Sequence, residues 1–522
     1  VLLGLLAYWH GRMLLRDAVQ RQLPPRRAWA WIWGGLLGCT VLAALAKETG
    51  VMLPAYAVVL EWVVLRGDCG GTPGSRERRD ARCSLLGVYA LVLVVPGALG
   101  LAWLLPGALD GAAYTTRHFT LTQRLLTEGR VLVDYLHWIA LPTPDQLSLY
   151  HDDIAVSTSW LHPWTTAASW LLLAGLLLAG LWLRRRRPVV SLGILWFFAG
   201  HSLVSTFMPL ELAFEHRNYL PSWGVFMALF GLLGAWSPRR RGSWPVFAAT
   251  LCVGLATLYA GFTAIRAQVW GNPYRLAYFE ATTHPRSPLA AYGLGRVLYI
   301  MASGPGSALF ELADRQMLDA AKLPRANLEP LQALVFMHAK LGLPVRQDWW
   351  TQLRRGLAEQ PLGVQNVDAL YALVNCAVDH VCRYPPDDLR QLQRALDSGL
   401  RGHPRSAELY TLRANLEANV THRYAAAYQD MQRAVALAPS KLRFWSNLVR
   451  LQIAGRQFSQ ATQGLQRMRE LDTFGLHRAQ RQALRRDLEA ARRAQTAGVQ
   501  AASPHEVSPT VPAGAASGGG SR

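Results

Sequence analysis

The chain has 522 residues, 51% of them hydrophobic and only 17% charged, with a formal net charge of +20 at pH 7. That length suits two or three domains. Only Lys47, Lys322, Lys340 and Lys441 are lysine, and much of the arginine sits in short loops between apolar runs. The positive-inside rule produces that pattern, so the charge does not point to nucleic acid.

The long apolar runs fall in residues 1–265, and the remainder is rich in Arg, Gln and Ala with periodic Leu and Ala. The chain begins at Val1 inside the run "VLLGLLAYW", with no signal-peptide n-region or cleavage site, and we read it as a piece of a longer protein. Membrane spans are predicted near 1–15, 29–46, 50–65, 84–105, 160–183, 189–208, 219–236 and 244–265. Most approach the ~20 apolar residues that cross the hydrocarbon core.

Arginines crowd alternate connections: Arg12, Arg16, Arg21, Arg26 and Arg27, then the loop 66–82, then "RRRR" at 184–187 and "PRRR" at 238–241. If these are cytoplasmic, the loops around 47–50, 106–159 and 209–218, and everything after 266, lie on the exoplasmic side. This alternation requires 121–141 not to cross. Its spaced Arg124, Glu128, Arg130 and Asp134 suit a helix lying in the interface.

Three polar clusters then share the exoplasmic face: Lys47–Glu48, His151–Asp152–Asp153, and Glu211/Glu215–His216–Arg217. Ionisable groups at a bilayer boundary are expensive unless they meet water, a partner or a substrate. A plainer alternative makes Lys47–Glu48 a helix-end pair and Arg217 a snorkelling anchor.

Beyond 266 the pattern becomes paired helices. Units from Pro404 to Pro439 and from there to Asp472 approximate the 34-residue tetratricopeptide repeat. Tyr424, Ala427 and Ala434 in the first, and Trp445, Leu448, Phe458, Ala461 and Leu465 in the second, fall at its signature positions. An earlier copy places Leu294, Gly295 and Leu298 in register, while between about 305 and 400 the consensus fades into degenerate helical pairs. Stacked repeats present a concave surface for a protein or peptide partner. Residues 496–522 have almost no bulky apolar side chains, and disorder is expected there.

Cys376 and Cys382, in the expected exoplasmic half, are predicted to form a disulfide. Six residues apart in a continuous helix they would diverge, so the bridge requires the helix to end near Asp379 or His380. No Cys/His spacing resembles a zinc site.

Three segments carry a family resemblance. "LAALAKETGVMLPAYAVVLEWVVLRG" resembles the SKE…LP…E/D segment of C-type polytopic glycosyltransferases. "LELAFEHRNYLPSWGVFMALF" resembles their later E-x-R-x-YLP loop. "FTAIRAQVWGNPYRLAYFEATTHPRSPLAAYGLG" resembles the junction of last span and first repeat. The order of motifs is similar to the transmembrane-and-tetratricopeptide-repeat class, related to protein O-mannosyltransferases, and the short loops and Arg-rich composition suggest a bacterial version.

The implied fold is all-α: a polytopic transmembrane bundle (1–265), a periplasmic tetratricopeptide-type α-solenoid (266–495) and a tail (496–522), in a bacterial inner membrane. The implied activity is inverting transfer from a polyprenyl-phosphate sugar, with no cofactor or metal, to a protein acceptor bound by the repeats. Arg217, His216 and Lys47 would stabilise the phosphate, because a leaving phosphate needs cations. The family's acceptor base precedes the residues seen here, which leaves Glu215, Glu48 and Asp152 supporting roles. Asp152, Asp153 and Tyr219 would wall the site. The alternatives are a membrane-anchored repeat scaffold without chemistry and an O-oligosaccharyltransferase or polysaccharide polymerase or ligase.

Overall fold

In the computed structural model, residues 1–235 and 244–496 are described. The "PRRR" loop at 238–241 and residues 497–522 of the tail lie outside them. The chain is all-α: among the described residues there is no strand. It divides into two compact units, Val1–His284 and Pro285–Arg522.

The first unit contains α1 (Leu2–Gln20), α2 (Arg26–Ala46), α3 (Glu48–Leu65), α4 (Arg76–Leu109), α5 (Leu121–Ala140), α6 (Thr165–Leu183), α7 (Pro188–His201), α8 (Pro221–Ala235), α9 (Trp244–Trp270) and α10 (Pro273–Thr283). Five of these, α2, α3, α4, α6 and α9, are long and apolar enough to cross a membrane. Helices of this length with outward-facing apolar side chains make this a membrane-associated protein.

Three expected spans differ. Helix α1 runs five residues past the predicted end and carries Arg12 inside rather than in a loop. The reason is Glu61 on α3, which accepts from Arg12 Nε at 2.8 Å and Nη2 at 2.7 Å and also from the Tyr8 hydroxyl. A buried arginine is tolerated when paired and hydrogen-bonded in this way. Helices α7 and α8 have 14 and 15 residues, so each is about 21 Å long and shorter than a usual span. They run antiparallel in close contact: a Cβ on Gly193 would run into the Gly224 carbonyl. Small residues at such a seam let backbones approach.

Helix α5 opens on a capping box, with Thr120 and Gln123 exchanging side-chain and backbone hydrogen bonds. Of its four expected interfacial charges, Arg130 and Asp134 are half-exposed, but Arg124 and Glu128 are not at the surface. Arg124 and Glu128 are sealed inside the unit, because the loop after α7 offers Arg124 a row of carbonyls, described below. Gly129 sits against the Trp170 ring of α6, leaving no room for a side chain.

The first unit also extends past the expected boundary at 265. Glu280 of α10 and the adjoining His284 bond to the 145–153 loop and hold this segment in the first unit.

The second unit is a series of helical repeats: α11 (Pro288–Met301), α12 (Ala308–Lys322), α13 (Glu329–Leu341), α14 (Gln347–Glu359), α15 (Val364–Val378), α16 (Pro386–Gly402), α17 (Ala407–Asn419), α18 (Tyr424–Leu437), α19 (Leu442–Ala454), α20 (Phe458–Leu471) and α21 (Arg478–Thr496). Hairpins α11–α12, α17–α18 and α19–α20 are the three units legible as repeats. Their small residues Ala427, Ala434 and Ala461 are wholly buried, and Gly295 packs on Met317. The fading middle is also helical, and Trp349 and Trp350 are buried in its core. Trp350 Nε1 satisfies its donor on Asp388 at 3.0 Å.

Helix α15 ends at Val378, and His380 takes a left-handed conformation with φ 54°. This turn folds the chain back on itself. Cys376 and Cys382 are joined by a disulfide, with Cα atoms 5.1 Å apart.

Candidate functional site

The site is organised by the irregular segment 202–218 between α7 and α8. Its backbone polar groups lie next to apolar helices and need partners. The side chains that supply them come from residues 114–135. Tyr114 donates to the Phe207 carbonyl at 2.7 Å, and Arg117 Nε to that of Pro209 at 2.9 Å. Arg117 also pairs with Glu211. Arg124 reaches furthest, with Nη2 on Val204 O at 2.8 Å, Nε on Thr206 O at 2.9 Å, and Nη1 on Leu210 O. The Tyr135 hydroxyl accepts from Phe214 N–H at 2.8 Å and donates to Phe214 O at 3.2 Å. Helix α5 and the residues just before it thus hold the course of the segment.

At its end the 3-10 turn Glu215–Asn218 presents the predicted triplet. Arg217 Nη1 donates to the carbonyls of Glu211 at 2.7 Å and Leu212 at 3.2 Å, and its guanidinium lies 5.3 Å from the Phe214 ring centre. His216 stacks on the same ring and is exposed. Glu215 accepts from Ser148 N–H and lies 3.7 Å from His151 Nε2, whose ring stacks on Trp138. Lys47 and Glu48, both exposed at the junction of α2 and α3, act electrostatically on His216. The structure therefore brings Lys47, Glu48, Glu215, His216 and Arg217 into one neighbourhood. Tyr219 projects from it, 77% exposed.

His216 departs from its expected role in one respect. Partial burial, with Lys47 and Arg217 next in effect, holds its imidazole below the ordinary histidine range, despite Glu48 and Glu215. This favours the uncharged imidazole, which offers a hydrogen bond.

Asp152 and Asp153 sit in the loop facing α10. His284 Nδ1 lies 3.1 Å from Asp153 Oδ2, and Nε2 lies 3.2 Å from the Asp145 carbonyl. Burial, the largest single influence, would raise the Asp153 carboxyl, but the bond and charge of His284, with a backbone bond and the charge of His151, together hold it low. The same bond raises His284. Asp153 therefore ties the loop to α10. Glu280 does likewise, accepting from the Ser148 hydroxyl and from Leu149 N–H at 3.1 Å, with Arg266 at 3.4 Å.

Beneath the triplet lies a buried polar cluster that the sequence reading did not identify. Arg124 Nη2 is 2.8 Å from Glu128 Oε1, at side-chain exposures of 0% and 1%. Burial pushes the Glu128 carboxyl up to about 7, against the pull of Arg124 and Arg217. His201 is buried and stacked on Tyr135 at 5.2 Å. Apart from the Arg124 ion pair, both Glu128 oxygens, both His201 ring nitrogens, Ser205 Oγ and Asn218 Oδ1 complete no hydrogen bond of good geometry. Ser205 nevertheless lies against Glu128 and Asn218 against His201, so these buried polar groups face one another in two pairs. The i, i+4 spacing of Arg124 and Glu128 was the available signal. The remaining members come from α7 and the loop after it and carry no local pattern.

Among the described residues, no three His, Cys, Asp or Glu side chains gather as a metal site. In comparison with known proteins, the chain matches no family model and no curated relative.

Proposed function

We propose that the protein is a membrane glycosyltransferase that moves a sugar from a polyprenyl-phosphate donor to a protein acceptor held by its helical repeats. The observation that carries this reading is the meeting of Lys47 with His216 and Arg217, from segments far apart in sequence, around one exposed turn. Two permanent cations and a neutral imidazole donor suit a phosphate ester whose charge grows as the glycosidic bond breaks. Glu215 and Glu48 stand beside them to orient the cations, and Tyr219 offers a wall for the sugar or acceptor. The repeat unit supplies a surface of the kind that binds peptides. Its disulfide suits an exoplasmic, periplasmic location in a bacterial inner membrane.

The test is photolabelling of the membrane-inserted full chain with a polyprenyl-phosphate sugar analogue. Lys47→Met and Arg217→Lys each weaken a charge-assisted contact of about 1.5–3 kcal/mol, so labelling falls about tenfold or more while the protein still elutes as a folded species. Wild-type labelling that both variants leave unchanged refutes the reading. Topology is tested by reporters: a periplasm-active enzyme fused near residue 300 works, and one fused near residue 186 does not.

A scaffold without chemistry is favoured by one observation. Arg217 and Glu215 both bond to backbone groups of the site, which is a structural task in itself. In that case the wild type takes no label, and the Arg217 variant alters only stability.

A further inference from the structure

A further concavity of the first unit runs along α8, from Ser222 near the site toward the start of α7. It is a groove of about 1290 Å³ bounded by the end of α6, the start of α7 and one face of α8. Trp223, Phe226, Phe230 and Gly234 line that face at helical spacing, over a rise of about 17 Å. That length is comparable to half of the ~30 Å hydrocarbon core, the depth of one leaflet.

Arg186 and Arg187 close one end. A snorkelling arginine at the end of a span normally extends into water. Arg186 instead lies over the Trp182 ring at 4.4 Å, at the mouth of the groove, and Arg184 over Trp62 at 4.3 Å. Among the described residues, no carboxylate pairs with Arg185, Arg186 or Arg187. Stacking fixes the plane of a guanidinium while leaving its N–H edges to donate.

We propose that this groove binds a membrane glycerophospholipid with a net negative headgroup, its phosphate on Arg186 and Arg187 and an acyl chain along α8. The chemistry selects a lipid over a peptide. The floor is nearly all apolar, and an inserted extended peptide would leave its N–H and C=O groups without partners at a cost of several kcal/mol. An acyl chain carries no such groups. The anionic head follows from the uncompensated arginines, each of which contributes to attraction for acidic lipids.

The test uses the detergent-purified full chain, titrated with phosphatidylglycerol or with phosphatidylcholine of the same acyl chains and followed by native mass spectrometry. One phosphatidylglycerol is retained, with about tenfold preference over phosphatidylcholine. Arg186→Gln/Arg187→Gln brings that preference to within about twofold, whereas Arg76→Gln/Arg79→Gln, which removes two arginines from another loop, leaves it intact. Val189→Trp, which fills the groove at a half-exposed position, abolishes retention of either lipid. Equal retention of both lipids by the wild type overturns the assignment, as does preference unchanged in the Arg186/Arg187 variant. Retention of polyprenyl phosphate in place of phosphatidylglycerol also overturns it.

Discussion

Replacing Arg124 by Met removes the donor to three loop carbonyls and strands Glu128 in the interior. Breaking one side of a buried ion pair costs about 3–5 kcal/mol. For a unit of this size, 1 kcal/mol lowers the thermal midpoint by about 2 °C, so the full chain in detergent unfolds about 6–10 °C lower. Removing Glu128 as well relieves the unpartnered buried carboxyl: Arg124→Met/Glu128→Leu regains about half of the loss. The difference between single and double variants isolates the pair. Proton linkage gives a second readout. The Glu128 carboxyl is raised in the folded chain above its unfolded value of 4.5. Its contribution is therefore fully present below pH 4.5 and lost as pH rises through about 7, on the order of 3 kcal/mol in all. Glu128→Gln flattens that window. A double variant no more stable than the single, or a single variant within 2 °C of wild type, refutes the account of Arg124 as partner of Glu128 and clamp of the loop.

The convergence of Lys47 on His216 is checked by NMR of labelled histidine. Lys47→Met removes one of the charges that depress the imidazole, so its titration moves up toward 6.5, and an unmoved titration separates the two groups. His284 is raised by its bond to Asp153, so the tie contributes stability below pH 6.5 that is lost as pH rises through the folded value. In proteolysis across pH 6–9, cleavage near residue 150 increases with pH in the wild type, and His284→Gln cleaves readily throughout. Alkylation of the unreduced protein labels neither Cys376 nor Cys382, and Cys376→Ser/Cys382→Ser loses about 2 kcal/mol, a value set by the short loop closed.

The all-α character, the apolar helices and the terminal repeats were legible because each leaves a periodic trace within 20–35 residues. The disulfide is legible from the expected exoplasmic placement of both cysteines, and its spacing then requires the helix break that the structure shows after Val378. Arg12 was misplaced because its partner, Glu61, is one charge within an otherwise apolar run and its meaning depends on tertiary contact. The same holds for α5. Its polar residues look like the wet face of an interfacial helix, and only the carbonyls of 204–211 show that the face turns inward. In the site, Lys47, Glu48, Glu215, His216 and Arg217 were chosen by residue type and assumed sidedness. His201, Glu280 and His284, from α7, α10 and the residue after α10, have no local signature. The neutrality of His216 also depends on neighbours that only the fold supplies.

The pairing of Arg12 with Glu61 has a bearing on how the protein is made. The two residues are 49 positions apart. At about 5–20 residues per second, the ribosome delivers Glu61 roughly 2–10 s after Arg12. During that interval α1 carries an uncompensated arginine, which costs about 2.5–3.5 kcal/mol at the centre of a membrane helix. Helix α1 is therefore poorly suited to settle in lipid by itself before α3 emerges. Its placement is a joint event of non-adjacent helices rather than the insertion of one span after another.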